Sequence, residues 1–520
     1  MDWYNPPSEN DLLNQLLQLK RKINYALFTY AVKQNIDMAD GSKQNLCAFL
    51  ALQNFSNPSF ESLLVEEGFA SVTSISPHIL YSLNKMINHL DLSTANFHLG
   101  NYIDVQSAQY LQRVRNFELL GKEELEAPAI MVILDKSMIG NQKLFTELLQ
   151  AGMTIARINC AHDCYDVWVK LIEQLRAAEQ NLYHKQPMNR CKIYMDLPGP
   201  KIRITPFQQR KIPMRIEEEG KKSERKNSAI IKVRKGDLLR IYKKENFFGK
   251  PKSKLEPASI GITFPKALIY VKGDDRVFID DGNIGGKVVH VTEDHVDVKI
   301  TLTRNRKEQV KPGKGVNFPD SPVYKSIEAI TEQDQETLAQ IIPIADLIGI
   351  SYIHQREVLR KIKNFINQVT TKRIGLIAKI ETKTAMLELT NIILEGLNLD
   401  LFGVMIARGD LAIEVGYEQL AKAQEGILAI CRAAHIPVIW ATGVLDKLNK
   451  KGIPQRPELT DVYMGLRADC IMLNKGPFVH ESIKFINQLE QLNKDPLLNI
   501  RNGNISFVQH GFNNANSNVR

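Results

Sequence analysis

The chain has 520 residues, 44% of them hydrophobic, which excludes a disordered polymer and exceeds what a single core usually holds, so two or three domains are expected. Lysine and arginine exceed the acids by 67 − 58 = 9, but the basic residues between Arg210 and Lys254 (KKSERK, YKKENFFGKPKSK) lack RNA-binding aromatics or a DNA-binding motif, so they read as a solvated flap that draws in anionic substrates, not as a nucleic-acid site. Six scattered cysteines without a CxxC pair exclude a disulfide framework, and a polar start with no apolar run of ~18 residues excludes a signal peptide and a membrane span, so a soluble cytoplasmic protein is expected.

Residues 1–120 predict a separate helical extension. In DLLNQLLQLKRKINYAL the residues Leu12, Leu16, Leu19, Ile23 and Leu27 form a helical stripe. QNLCAFLALQNF, FESLLVEEGF and SPHILYSLNKMINHL predict further helices, the last with Ser76 as N-cap and Pro77 at its first position. No concentration of acids, histidines or glycines marks this part, which reads as a structural or oligomerisation module. From residue 129 short apolar runs alternate with helical patterns: IMVIL, TIARINC, CKIYMDL, LIGISYI, IGLIAKI, LFGVMIA, PVIWAT and CIMLNKG. Eight such runs predict an α/β fold, a (β/α)8 TIM barrel, in two parts, 129–203 and 314–485. Residues 204–313 alternate with period two between turn residues and predict an inserted small all-β domain. A short polar tail, 486–520, follows.

The chemistry is concentrated where apolar runs end in charge. MIARGDLAIE (405–414) presents Asp410 at a strand end, and GLIAKIE (375–381) puts Lys379 and Glu381 on one strand face. Two carboxylates and a lysine at adjacent strand ends could hold a divalent metal and an anionic substrate, and Mg2+ prefers such a pair together with substrate phosphates.

With ARINCAH (156–162), MDLPGPKIR (195–203), FIDDG (278–282) and KGVNFP (314–319), these segments resemble the pyruvate kinase family in composition and order, over residues 129 to 485. The helical extension resembles that of certain bacterial pyruvate kinase-like proteins. The resemblance implies a lid over the barrel mouth, Mg2+-dependent phosphoryl transfer between phosphoenolpyruvate and ADP giving pyruvate and ATP, and a homo-oligomer. It gives Glu381 and Asp410 as Mg2+ ligands, Lys379 as the cation at the transferring phosphoryl group and enolate, Arg157 as phosphate ligand, and Thr442 beside the enolate carbon. Asn159, His162, Arg203, Asp281, Lys314 and Gly409, together with Asp410 and Thr442, become substrate or nucleotide contacts.

Departures from the family pattern fall on two sites. Ala161 and Leu197 stand where two hydroxyl ligands of the K+ site belong, leaving Asn159 and Asp196 as remnants, and Lys201 in GPKIR is expected to replace the ion. Gly443 follows Thr442 in place of glutamine, and Asn474, Lys475, Gly476 and Pro477 replace serine-glycine-glutamate on the nucleotide side. A non-catalytic relative that binds a ligand or partner, and a barrel with another phosphoryl acceptor, are the competing readings. No room remains for the family's carboxyl-terminal effector domain, so activation by a sugar bisphosphate is not expected.

Overall fold

The apolar stripe of the first helix is its buried face. In the computed structural model, which describes residues 9–55, 58–71, 74–91, 102–122, 127–182, 190–208, 230–328 and 330–494, Leu12, Leu16, Leu19, Ile23 and Leu27 of α1 (Glu9–Gln34) are all buried. Among the described residues, four further helices belong to the extension: α2 (Gly41–Phe55), α3 (Pro58–Glu66), α4 (Ile79–Leu90) and α5 (Val105–Leu120). The expected start of α4 is corrected by two residues. His78, not Ser76, is its N-cap, and the cap bond comes from outside the helix, because Asn45 of α2 accepts the Ile79 N–H at 2.8 Å. Pro77 is thereby left in the preceding turn, its carbonyl 2.8 Å from His435 Nε2 in the barrel.

All eight apolar runs are strands: β1 (Ala129–Leu134), β2 (Ile155–Asn159) and β3 (Lys192–Asp196) precede the insert, and five others follow it. The insert carries β4 (Ile231–Val233), β5 (Leu238–Tyr242), β6 (Ala258–Ile260), β7 (Arg276–Ile279), β8 (Ile284–Val291), β9 (His295–Thr303), β10 (Glu308–Val310) and β11 (Val316–Asn317). After it come β12 (Leu347–Ile350), β13 (Gly375–Ile380), β14 (Phe402–Ala407), β15 (Val438–Val444) and β16 (Cys470–Leu473). The barrel closes in the order β1-β16-β15-β14-β13-β12-β3-β2, with every pair parallel. Burial on both faces explains why these strands read as continuous apolar runs, without the alternation of a half-exposed sheet. The lid is a six-stranded sheet, β11-β7-β8-β9-β5-β6, beside the pair β10-β4. Its sheet takes in Val316 and Asn317, beyond the expected end at 313, and the helix Val479–Lys494 runs past 485 because Ile486 is a buried core residue.

The extension closes the amino-terminal end of the barrel. Leu119 and Leu120, the last residues of α5, are buried in the barrel's interior cluster with Met131, Tyr194, Ile377, Met405 and Ile439. Leu119 needs glycine beneath it: a Cβ at Gly375 or Gly403 would come within 2.6 Å of its methyls. Polar bonds fix the same joint. Arg115 donates to the carbonyls of Ala434 and His435 at 2.9 and 3.0 Å, and Asn116 donates to Asp469 at 2.8 Å.

Cys47, Cys160, Cys191, Cys431 and Cys470 are buried free thiols and Cys164 is exposed. No helix among the described residues is long and apolar enough to cross a membrane. The basic KKSERK segment and residues 495–520 of the polar tail lie outside the described residues.

Candidate active site

The site is assembled at the carboxyl ends of the barrel strands, where side chains from separate strands converge. Lys379, near the end of β13, is the hub. Its ammonium lies 3.1 Å from Asp196 of β3 and 3.1 Å from Glu381, and donates to Ser351 Oγ at 2.6 Å. Arg157, on the neighbouring β2, donates to the same Asp196 oxygen through Nε at 3.1 Å and also through Nη2. Four charged groups thus form a chain, Arg157–Asp196–Lys379–Glu381, with side chains between 2% and 11% exposed.

Electrostatics keeps Arg157, Asp196 and Lys379 charged. Burial opposes the charge on Asp196, but Arg157 and Lys379 outweigh it and hold the carboxyl below its ordinary value. Burial likewise opposes the charge on Lys379, and Asp196 and Glu381 overcome it, raising its pKa. Glu381 goes the other way. Burial, joined by repulsion from Asp410 and Asp196, outweighs Lys379 and pushes its carboxyl up. It is steadied by the Tyr352 N–H, which donates to Oε2 at 2.6 Å.

Asp410 is placed by an abrupt change of element. The strand expected to carry it ends at Ala407, and a helix, Arg408–Val415, begins at once, so Gly409 and Asp410 occupy its first turn. There Asp410 Oδ1 accepts from Lys201 at 2.8 Å. Lys201 also lies 3.8 Å from Asp281 of the lid and above the Tyr352 ring at 5.7 Å, and so joins lid to barrel. The expected grouping of Lys201 with Asn159 and Asp196 is not formed. Asp196 is already neutralised by two cations and Asn159 Oδ1 accepts the Ala161 N–H, whereas Asp410 offers a carboxylate that pairs with no other cation among the described residues.

Thr442 sits beside this helix in strained backbone. Its φ of 74° is left-handed, rare for a β-branched residue, at an irregularity in the pairing of β15. Arg408 holds it there, donating to the carbonyls of Ala441 and Thr442 at 2.8 and 2.7 Å while paired with Asp461 and stacked on Trp440. Gly409 is required opposite, since a Cβ there would meet Thr442 Cγ2 at 2.9 Å. Lys314 pairs with Asp280 at 2.7 Å, and Arg203 donates to the Gly313 carbonyl at 3.0 Å, so both are held at the lid's base. His162 is exposed, and its carbonyl accepts from Trp168 Nε1 at 3.1 Å.

The structure therefore joins Arg157, Asp196, Lys379 and Glu381 directly, and Asp410, Lys201 and Asp281 as a second group, while Arg203 and Lys314 bond within the lid's base. Sequence reading did not find Ser351 and Tyr352, which carry Lys379 and Glu381 through a hydroxyl and a backbone N–H. Their signal was present in SYI, directly after β12, but neither residue type announces such a role.

Among the described residues no group of three or more His, Cys, Asp and Glu side chains forms a ready metal cage. Glu381 and Asp410 fit Mg2+ in another way. They are two hard oxygen donors close enough for Asp410 to raise the pKa of Glu381, a repulsion that a bound cation relieves, and Mg2+ commonly takes one or two carboxylates and completes its shell from substrate and water.

Residues 136–482 match the model of the pyruvate kinase barrel domain. The pyruvate kinase of Encephalitozoon cuniculi is 29% identical over 353 residues, covering 66% of this chain and 70% of that protein. That of Thermococcus litoralis is 27% identical over 361 residues, covering 67% and 66%. That of Geobacillus stearothermophilus is 26% identical over 350 residues, covering 66% and 53%. The matched region thus spans between about half and about seven tenths of these relatives.

Proposed function

Because the chain belongs to the pyruvate kinase family, we propose that it transfers a phosphoryl group from phosphoenolpyruvate to ADP, giving pyruvate and ATP, in the cytoplasm. The observation that carries this reading is the buried chain Arg157–Asp196–Lys379–Glu381, which sets two fixed cations beside a metal-competent acid at the barrel mouth. In this reading Arg157 and Lys379 meet the phosphoryl oxygens. The P–O bond to the enol oxygen breaks as a bond to the terminal oxygen of ADP forms, and Lys379 stabilises the enolate left behind. The enolate carbon then takes a proton, for which the Thr442 hydroxyl is the relay. Glu381 and Asp410 would hold Mg2+, which neutralises phosphoryl charge. Lys201 supplies a tethered ammonium in place of K+, held at Asp410 and not among the remnants Asn159 and Asp196. Residues 1–120 serve as extension, 129–203 and 314–485 as barrel, and 204–313 as lid.

A different acceptor is the second reading, favoured by one observation: on the nucleotide side, Asn474 donates to Asp446 at 2.7 Å and Lys475 pairs with Asp135, so the replaced residues are occupied within the protein. Purified protein with phosphoenolpyruvate, Mg2+ and ADP should form pyruvate and ATP together. Pyruvate formed only with another nucleoside diphosphate would favour the second reading, and none with any acceptor would overturn both.

A further inference from the structure

Tyr352 is 3% exposed, and its hydroxyl is buried with no hydrogen-bond partner among the described residues. Such an orphan is costly, and phenylalanine would fill the same space without a polar atom. The ring itself is well fixed. It stacks on Tyr324 at 5.6 Å, belongs with it to the apolar cluster of the lid, and has the Lys201 ammonium 5.7 Å from its centre.

The two ends of this residue serve different acids. Its backbone N–H donates to Glu381 Oε2 at 2.6 Å, which anchors it to one of the carboxylates assigned to a divalent cation. Its side chain reaches toward the other, since Asp410 is the carboxylate that acts most strongly on the phenol, although outside the geometry of a formed hydrogen bond. Burial first, and then Asp410, raise the phenol well above its ordinary pKa, so the hydroxyl remains a donor. Asp410 Oδ1 is meanwhile occupied by Lys201 at 2.8 Å. Tyr352 thus spans both acids, with one bond made at Glu381 and one still to be made at Asp410.

We propose that the Tyr352 hydroxyl is a positioning group for the divalent cation of this site, donating to Asp410 when that carboxylate and Glu381 share the ion, and thereby selecting Mg2+ over Ca2+. The inference rests on the reading of Glu381 and Asp410 as the metal pair. A carboxylate has about four lone-pair sites on its two oxygens. With Lys201 and Tyr352 both bonded to it, Asp410 offers a cation a single lone pair and no bidentate grip. That suits Mg2+, which demands near-octahedral geometry with short bonds of about 2.0–2.1 Å, and it penalises Ca2+, which takes more ligands and often both oxygens of one carboxylate. Because the bond forms only with the ion bound, it contributes to affinity for the ion and not to the stability of the free fold.

Tyr352→Phe removes one oxygen and keeps the ring, its stack and the backbone bond to Glu381. Binding is read without turnover from free Mn2+ counted by electron paramagnetic resonance, with Mg2+ or Ca2+ as competitor and Glu381→Gln as the control that places the ion. Wild type should bind Mn2+, and Glu381→Gln should lose it. Tyr352→Phe should bind Mg2+ at least about tenfold more weakly, the scale of a hydrogen bond to a charged group, and Ca2+ no more weakly than wild type does. Urea midpoints give an independent readout. Without divalent ions the variant should be at least as stable as wild type, because the orphan is gone, and saturating Mg2+ should raise the midpoint of wild type more than that of the variant. Unchanged Mg2+ affinity, or a variant less stable than wild type without ions, overturns the proposal, and equal losses for Mg2+ and Ca2+ overturn the selection. No Mn2+ binding by wild type, or binding that survives Glu381→Gln, removes the metal pair and the proposal with it. Failure to form pyruvate with any acceptor removes the proposed reaction, while the titrations still decide the role of Tyr352.

Discussion

Lys379 bonds two carboxylates and a hydroxyl at once, so its removal has separable effects on rate and on charge. Lys379→Met should cut turnover by roughly 100-fold to 1,000-fold or more, the usual scale for losing a preorganised cation at a developing charge. The fold should survive, because Asp196 keeps Arg157 and Glu381, already pushed toward its neutral form by burial, can take up a proton. That proton has a signature. A carboxyl whose folded pKa is raised contributes stability at low pH that is lost as pH rises through that value, so the variant should fall further below wild type in urea midpoint as pH increases. A variant with near wild-type turnover would remove Lys379 from the chemistry. Lys201 makes a second prediction. Its ammonium is bonded to Asp410 instead of lying among the remnants of an ion site, and Ala161 and Leu197 offer no side-chain oxygen there. Turnover in sodium buffer should equal that in potassium buffer, and Lys201→Glu, which sets a third acid beside Asp410 and Asp281, should lose activity in both. A strong rise in rate with K+ for the wild type would refute this.

At the scale of elements, the joint between lid and barrel is a buried hydrogen bond, Asn317 Nδ2 of β11 donating to Glu414 in the helix that carries Asp410, at 2.9 Å. Burial, together with Asp410 and against the Asn317 bond, pushes the Glu414 carboxyl from 4.5 up to about 7. The protonated acid therefore stabilises the fold fully below the unfolded value, and this contribution is lost as pH rises through about 7. Glu414→Gln keeps an oxygen for Asn317 and cannot ionise. Its stability relative to wild type should grow from about pH 5 to about pH 8, by at most about 3 kcal/mol, in urea midpoints. A constant difference would mean that Glu414 does not titrate there. Elements were legible in the sequence where one interaction dominates. Parallel strands buried on both faces wrote themselves as apolar runs, and α1 wrote its buried face as a stripe. What was not legible depends on partners remote in sequence: the start of α4 set by Asn45, the pull of Asp410 on Lys201, the Tyr352 N–H at Glu381, and the Asn317–Glu414 joint. Each uses a common polar residue whose role is fixed only when the fold brings its partner.

For the whole molecule, the sequence suggests a separable extension and the packing does not. The buried residues of α1, α2 and α4 belong to the same continuous cluster as the outer faces of the barrel strands and their helices, from Leu12 to Ile486. At the bottom of the barrel, Leu119 fills space left by Gly375 and Gly403, so Leu119→Ala should cost about 2–5 kcal/mol by opening a cavity that rigid strands cannot close. The joint is polar as well: Asn45 spans the Ser76 and Ala433 carbonyls at 2.8 Å each, and Ser42 meets His435 Nδ1 at 3.0 Å. Removal of residues 1–120 would uncover apolar surface on the barrel helices, the lower end of the barrel interior, and these polar groups without partners, each of which favours aggregation over a smaller soluble domain. The full chain should accordingly lose extension and barrel together on heating, followed by calorimetry alongside the fluorescence of Trp168 and Trp440 in the barrel. The chain lacking residues 1–120 should be recovered insoluble or without a cooperative transition. A truncated barrel that stays soluble, melts cooperatively and keeps its turnover would show that the extension is an appendage, and would require that the contacts of Leu119, Arg115 and Asn45 contribute little to the barrel's stability.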